Sequence, residues 1–179
     1  MDADVVGDKG AALARILRND LSVPNGFVLT TAVPWGIDRT SLPDDVWKEV
    51  CDAVNRLARS TGRAFPATFD TQGQLANGGA LSMPLLLSVR QSPVGGHPDA
   101  KTILNIGMNS EVMNRMRSAS GRPLYVLDTY RRFLLDWGTK VKGIPAAQYK
   151  AVVDEALFRL NARSIHSVSC IASKLLTLL

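Results

Sequence analysis

Two cations stand where a phosphate could be held. Arg90 closes the apolar run Leu85-Leu86-Leu87-Ser88-Val89, with Pro84 in front and a loop carrying Pro93, Gly95 and Gly96 behind. A short apolar run bounded in this way reads as a buried strand. A guanidinium at a strand's end can make a bidentate pair with phosphate, and open α/β sheets place their ligands just outside such ends. Lys9 lies in Gly7-Asp8-Lys9-Gly10, directly before a helical pattern. A lysine in such a turn adds its charge to the free amides and the dipole of a helix N-terminus, which suits an anion. Both residues also have ordinary readings. Arg90 could cap a helix C-terminus or pair with a surface carboxylate, and Lys9 could be a solvated first-turn lysine. Judged on the local residues alone, the ordinary readings are the stronger.

The remaining candidates for chemistry are isolated. His97 and His166 are the only histidines, and neither has a second ligand near it in the chain. Zinc needs three or four converging ligands, so no metal site is expected. Cys51 and Cys170 show no metal spacing and read as reduced thiols of a cytosolic or organellar compartment. No residue is singled out as catalytic.

Strand and helix periods alternate in the elements that would position Lys9 and Arg90. Residues 4–18 open with the Gly7-Asp8-Lys9-Gly10 turn and then read as a helix, with Leu13, Ile16 and Leu17 on one apolar face. Pro24-Asn25-Gly26 is a turn, and the β-prone run after it predicts a strand over 27–30. The clearest helix spans 42–60. Ser41 or Asp44 can cap it, Val46, Val50, Val54 and Leu57 form a core-facing stripe with Trp47 and Cys51 beside it, and Thr61-Gly62 stops it. Residues 64–83 are polar and punctuated by glycine, the pattern of an exposed loop. Residues 102–106 form a second apolar run. Asn109 or Ser110 can cap a helix over 111–118, with Val112, Met113 and Met116 facing inward. A helix over 125–137 carries Leu127, Tyr130, Phe133, Leu134 and Trp137, with Arg131 and Arg132 as a solvated or ion-paired flank. A last amphipathic helix is expected over 148–161. The fold class is therefore α/β in the α+β sense, with helices packed on a small mixed sheet.

At 179 residues the chain is one domain's worth, read here as a domain over 1–161 and a tail over 162–179. The formal charge of +5 is dispersed, so no tract demands nucleic acid. The balance would suit an acidic partner such as RNA, an anionic membrane surface or a nucleotide. No apolar run reaches transmembrane length. The acidic start MDADVVG resembles neither a secretory signal nor a transit peptide. In the tail, Ile165, Val168, Ile171, Ala172, Leu175 and Leu179 recur at helical spacing. That stripe would dock on the domain itself or attach it to a partner protein.

Four segments, taken in order, resemble one family. Gly7-Asp8-Lys9-Gly10-Ala11-Ala12-Leu13 is similar to GGKGANL, and Val23-Pro24-Asn25-Gly26-Phe27 to VPPGF. Ser88-Val89-Arg90 followed by TILNIG is similar to SVRSGA followed by DTILNLG, and Asp128-Thr129-Tyr130-Arg131-Arg132-Phe133 to DSYRRF. These patterns belong to the N-terminal nucleotide-binding region of pyruvate phosphate dikinase. The resemblance covers roughly residues 5 to 145 and rests on four segments together. It implies an ATP-grasp-like region in which Lys9 and Arg90 match the phosphate-contacting Lys and Arg. In that family a phosphohistidine is made from ATP, carboxylates further along hold Mg²⁺, and a separate domain carries the histidine.

This chain departs from the pattern after Arg90. The small residues become Gln91-Ser92-Pro93, where proline removes an amide donor. Gly95-Gly96-His97-Pro98 replaces the SMPG-type segment, and Lys101 stands where the family has an acidic residue. The family's first strand and glycine-rich entry segment do not precede Val5, and its metal-binding carboxylates and histidine domain do not follow. Two expectations result. The favoured one is a non-catalytic dikinase-like domain, with Lys9 and Arg90 vestigial and no cofactor. It would serve as a structural subunit of a larger assembly of proteins, such as a mitochondrial or other organellar ribonucleoprotein or ribosome, with RNA as a further partner. The alternative is the ATP-binding part of an active dikinase, with ATP and Mg²⁺.

Overall fold

The computed structural model describes residues 2–33, 42–65, 83–95, 97 and 100–159. In chain order the elements are helix α1 (Ala3–Arg18), helix α2 (Asp44–Thr61), strand β1 (Leu87–Arg90), strand β2 (Thr102–Ile106) and helices α3 (Ser110–Ala119), α4 (Pro123–Lys140) and α5 (Ala146–Arg159). The two strands pair as an antiparallel hairpin, whose neck is extended by the Gln91 N–H donating to Lys101 O at 2.9 Å. The architecture is α+β. The chain divides into two compact units: residues 1–85 with 90–101, and residues 86–89 with 102–179.

The second unit holds the larger core. Met108, Met113, Val126, Leu127, Tyr130, Leu134 and Tyr149 form one buried cluster, with Leu86, Met116, Phe133 and Val152 packed against it. Burying each such side chain stabilises by about 1.5–3 kcal/mol. α3 starts where Asn109 Oδ1 accepts the Val112 N–H at 2.8 Å, so Asn109 is the cap of the two candidates. α4 begins on Pro123, whose missing N–H costs nothing in a first turn. Along α4, Asp128 takes both flanking arginines at 2.7 Å, so Arg131 and Arg132 are an ion-paired face as expected. At its far end Lys140 Nζ donates to Thr102 O at 2.9 Å and ties the helix to β2. Gly138 lies so close to the Tyr149 hydroxyl that a Cβ there would overlap it.

In the first unit, Asp2 caps α1 and Gly62 ends α2 in the left-handed conformation, its N–H donating to the Ala58 and Arg59 carbonyls. Pro43, and not Asp44, occupies the α2 cap position, with no side-chain capping bond; Ser41 lies outside the described residues. Ala64 is buried and its carbonyl accepts the Leu85 N–H at 2.9 Å.

Several expectations are corrected. Residues 27–30 form no strand, so among the described residues the sheet has two antiparallel strands in place of three mixed ones. β-propensity needs a ladder partner to act on. The neighbouring Thr31 instead donates its N–H to Val5 O at 2.9 Å and its hydroxyl to Asp4 O at 2.6 Å, which fastens the segment to α1. The run before Arg90 is not a buried strand throughout: Leu85 is buried ahead of the strand, while Ser88, Val89 and Arg90 are exposed. An edge in a two-stranded ribbon has only one face to cover. On α2, Ala53 is the buried residue and Val46, Val50, Val54 and Leu57 are half-buried, whereas Trp47 and Cys51 are exposed. Leu13, Ile16 and Leu17 do share a side of α1, but all three remain exposed. Residues 66–82 and 160–179 lie outside the described residues, and with them most of the expected loop, the tail, His166 and Cys170. No described helix is long and apolar enough to cross a membrane.

Candidate functional site

α1 is two helical pieces joined at Gly7. Its φ of 68° and ψ of 169° belong to a region essentially reserved for glycine, and the break exposes a fresh set of helix amides at Asp8, Lys9 and Gly10. Gly-x-Lys-Gly therefore does start a helix, as the pattern implied, but four residues of helix, Ala3 to Val6, precede the turn.

Those amides are not free. Ser92 Oγ accepts the Lys9 N–H at 3.0 Å and the Gly10 N–H at 3.3 Å, and donates its own proton to Val6 O at 3.2 Å. Pro93 O accepts the Asp8 N–H at 3.4 Å. The Lys9 ammonium donates to Gln91 O at 2.7 Å. Ser92 thus caps the helix after Gly7 from 83 residues away. The approach is so close that a Cβ on Gly7 would overlap the Ser92 carbonyl oxygen.

The contact sets Lys9 against the residue that follows Arg90. Arg90 is exposed at the end of β1, and no hydrogen bond or ion pair fixes its guanidinium among the described residues. Gln91 is held twice by Lys101: its N–H donates to Lys101 O, and its side-chain oxygen accepts the Lys101 N–H at 2.8 Å. The loop is therefore pinned at its neck, and Gln91 and Ser92 are aimed at the α1 break. The structure sets the Lys9 ammonium against the backbone of the residue after Arg90, beside a break lined by backbone donors, and fixes no contact for the Arg90 side chain among the described residues.

His97 is exposed, and no group of three or more His, Cys, Asp or Glu side chains suited to a metal occurs among the described residues. Cys51 is a free, exposed thiol. A surface cavity of about 350 Å³ lies on another side of α1, lined by Asp2, Ala3, Asp8, Ala11, Arg15 and Arg18; neither Lys9 nor Arg90 lines it. Ser92 is the residue that sequence reasoning missed. Serine is a favoured cap, but the local pattern shows only which helix a cap precedes, not which distant loop supplies it.

No protein-family model matches the chain. Among curated proteins it is similar to a pyruvate, phosphate dikinase of Rickettsia typhi, with 35% identity over 155 residues, covering 85% of this chain and 16% of that protein. A Rickettsia felis protein of the same name is 32% identical over 176 residues, covering 97% of this chain and 18% of the relative. The chloroplastic pyruvate, phosphate dikinase 1 of Arabidopsis thaliana is 33% identical over 162 residues, covering 89% of this chain and 15% of the relative. The chain thus spans about a sixth of the length of the relatives it matches.

Proposed function

Because this chain is a diverged relative of the pyruvate, phosphate dikinases, matching about a sixth of their length, we propose that it is the ATP-binding part of a dikinase-type phosphotransferase, organised as an ATP-grasp-like region. Lys9 and Arg90 are its phosphate contacts. The observation that carries the reading is the Lys9 ammonium held at 2.7 Å from the carbonyl next to Arg90, at a helix start. A lysine ammonium beside three helix amides suits the charge of a nucleotide's phosphates, and Arg90, one residue before Gln91, is within the same stretch of chain. The relatives' shared name favours this reading over a structural subunit of a ribonucleoprotein, for which neither RNA nor an organelle has support here.

Mg²⁺ is not assigned to the described residues, which offer no cluster of carboxylates for it. Phosphoryl transfer depends on positioning and on charge neutralisation by metal. Carboxylates and a phosphorylated histidine supplied by further dikinase sequence would complete the reaction. On that basis the 179-residue chain alone binds ATP but forms no phosphoenzyme. Equilibrium dialysis with labelled ATP tests the reading. Lys9→Ala and Arg90→Ala should each weaken binding by about tenfold or more, the usual cost of losing a charge-assisted contact. Binding unaffected by both substitutions would refute it.

A further inference from the structure

We propose that Gln91-Ser92-Pro93 is an autoinhibitory plug: it occupies the α1 amides and the Lys9 ammonium, and must withdraw before phosphate can bind. The inference rests on the nucleotide-binding reading and adds a mode of regulation to that site. Three consecutive helix amides, those of Asp8, Lys9 and Gly10, are filled by atoms of this one segment. One of the three Lys9 ammonium protons is taken by its Gln91 carbonyl. The Ser92 hydroxyl is fully engaged, accepting two N–H groups and donating to Val6 O. A phosphate oxygen reaching the Lys9 and Gly10 amides would have to stand where Ser92 Oγ stands.

The fit is built into the backbone. Gly7 has no Cβ where the Ser92 carbonyl rests, and Gly10 packs against Val6 with space for hydrogen only. Gln91 is clamped to Lys101 on the other side of the segment. The segment is therefore held at its neck while its tip makes neutral hydrogen bonds to donors that prefer an anion. Neutral acceptors are the weaker partners for an ammonium and a helix N-terminus, so an anion of sufficient charge displaces them. The plug sets a threshold: triphosphate competes well, and a single phosphate poorly.

The test is calorimetric titration of the full chain with ATP and Mg²⁺, using Ser92→Ala, Ser92→Thr and Lys9→Ala. Removing the hydroxyl should tighten ATP binding roughly fivefold, the equivalent of one helix cap no longer having to be displaced. Ser92→Thr keeps the hydroxyl and should bind as the unaltered chain does, while Lys9→Ala should lose binding. If Ser92→Ala binds ATP equally or more weakly while Lys9→Ala abolishes binding, the plug is wrong and the nucleotide site stands. If neither the unaltered chain nor Ser92→Ala binds ATP, the nucleotide reading fails and takes the plug with it. Should Ser92→Ala fold poorly, amide NMR of the unaltered chain decides. The Lys9, Gly10 and Ser92 resonances should move together as ATP saturates; a Ser92 environment unchanged at saturation overturns the proposal.

Discussion

Gly7→Ala is the sharpest perturbation of the α1 break, because two separate costs fall on one methyl group. The first is conformational. At φ 68° and ψ 169° an alanine sits in a region essentially restricted to glycine, at a cost of about 1–3 kcal/mol. The second is steric. The new Cβ would overlap the Ser92 carbonyl oxygen and crowd its hydroxyl, so the loop must back away. Retreat lengthens or breaks the bonds from the Lys9 and Gly10 amides to Ser92 Oγ and from Ser92 Oγ to Val6 O. At a net worth of about 0.5–1.5 kcal/mol each, these add about 1.5–4.5 kcal/mol. The expected loss is therefore about 2.5–7.5 kcal/mol, local to the first unit. Native-state hydrogen exchange at the Lys9 and Gly10 amides reads it directly, since local opening is measured there without assuming that both units unfold together. Gly62→Ala is the control. That glycine is also left-handed, at φ 65°, but nothing lies within 4 Å of a Cβ there, so only the conformational cost of about 1–2 kcal/mol applies. Equal losses for the two variants would refute the claim that Ser92 closes on Gly7.

Two further outcomes concern the second unit. Burial alone would raise the Asp128 pKa, but the Arg131 and Arg132 guanidiniums outweigh it and hold the carboxyl below its ordinary value. A carboxyl whose pKa is depressed on folding contributes stability that is present above its unfolded pKa, near 4, and lost as pH falls through the folded value. Asp128→Asn should thus cost about 1–2 kcal/mol at neutral pH and flatten the acid limb of a thermal-melt series; an unchanged acid limb would argue against it. Gly138→Ala should destabilise by about 2–4 kcal/mol in urea unfolding, because its Cβ would overlap the buried Tyr149 hydroxyl. Tyr149→Phe should be neutral or stabilising, since that hydroxyl is buried with no hydrogen-bond partner among the described residues.

Helices were the legible part of this fold because their signals are local. The Asn109 cap, the stop at Gly62 and the spacing of Leu127, Tyr130 and Leu134 all operate within one or two turns, and each appears where the residues place it. The extended segments were harder to read. Residues 27–30 have strand composition, but a strand exists only if another lies alongside, and Thr31 bonds to α1 instead. Burial was harder still. Val89 and Leu87 look alike in the apolar run, yet Leu87 is half-buried and Val89 is 54% exposed.

The candidate site divides along the same line. Lys9 and Arg90 were singled out as candidates because each sits at a recognisable boundary, a glycine turn before a helix and the end of an apolar run. What could not be found was the partner of the turn. Ser92 reads as an ordinary loop serine, and Pro93 reads as a lost donor; only the fold reveals that its carbonyl has become an acceptor for Asp8. The same three residues that mark divergence from the family pattern are the ones that satisfy the helix start in the absence of an anion. A helix N-terminus left bare costs stability, so under the proposed nucleotide-binding function an internal substitute would keep the chain stable between binding events. The substitute must be weaker than the ligand it stands in for, and a neutral hydroxyl facing two amides meets that condition where an aspartate, bringing its own charge, would not.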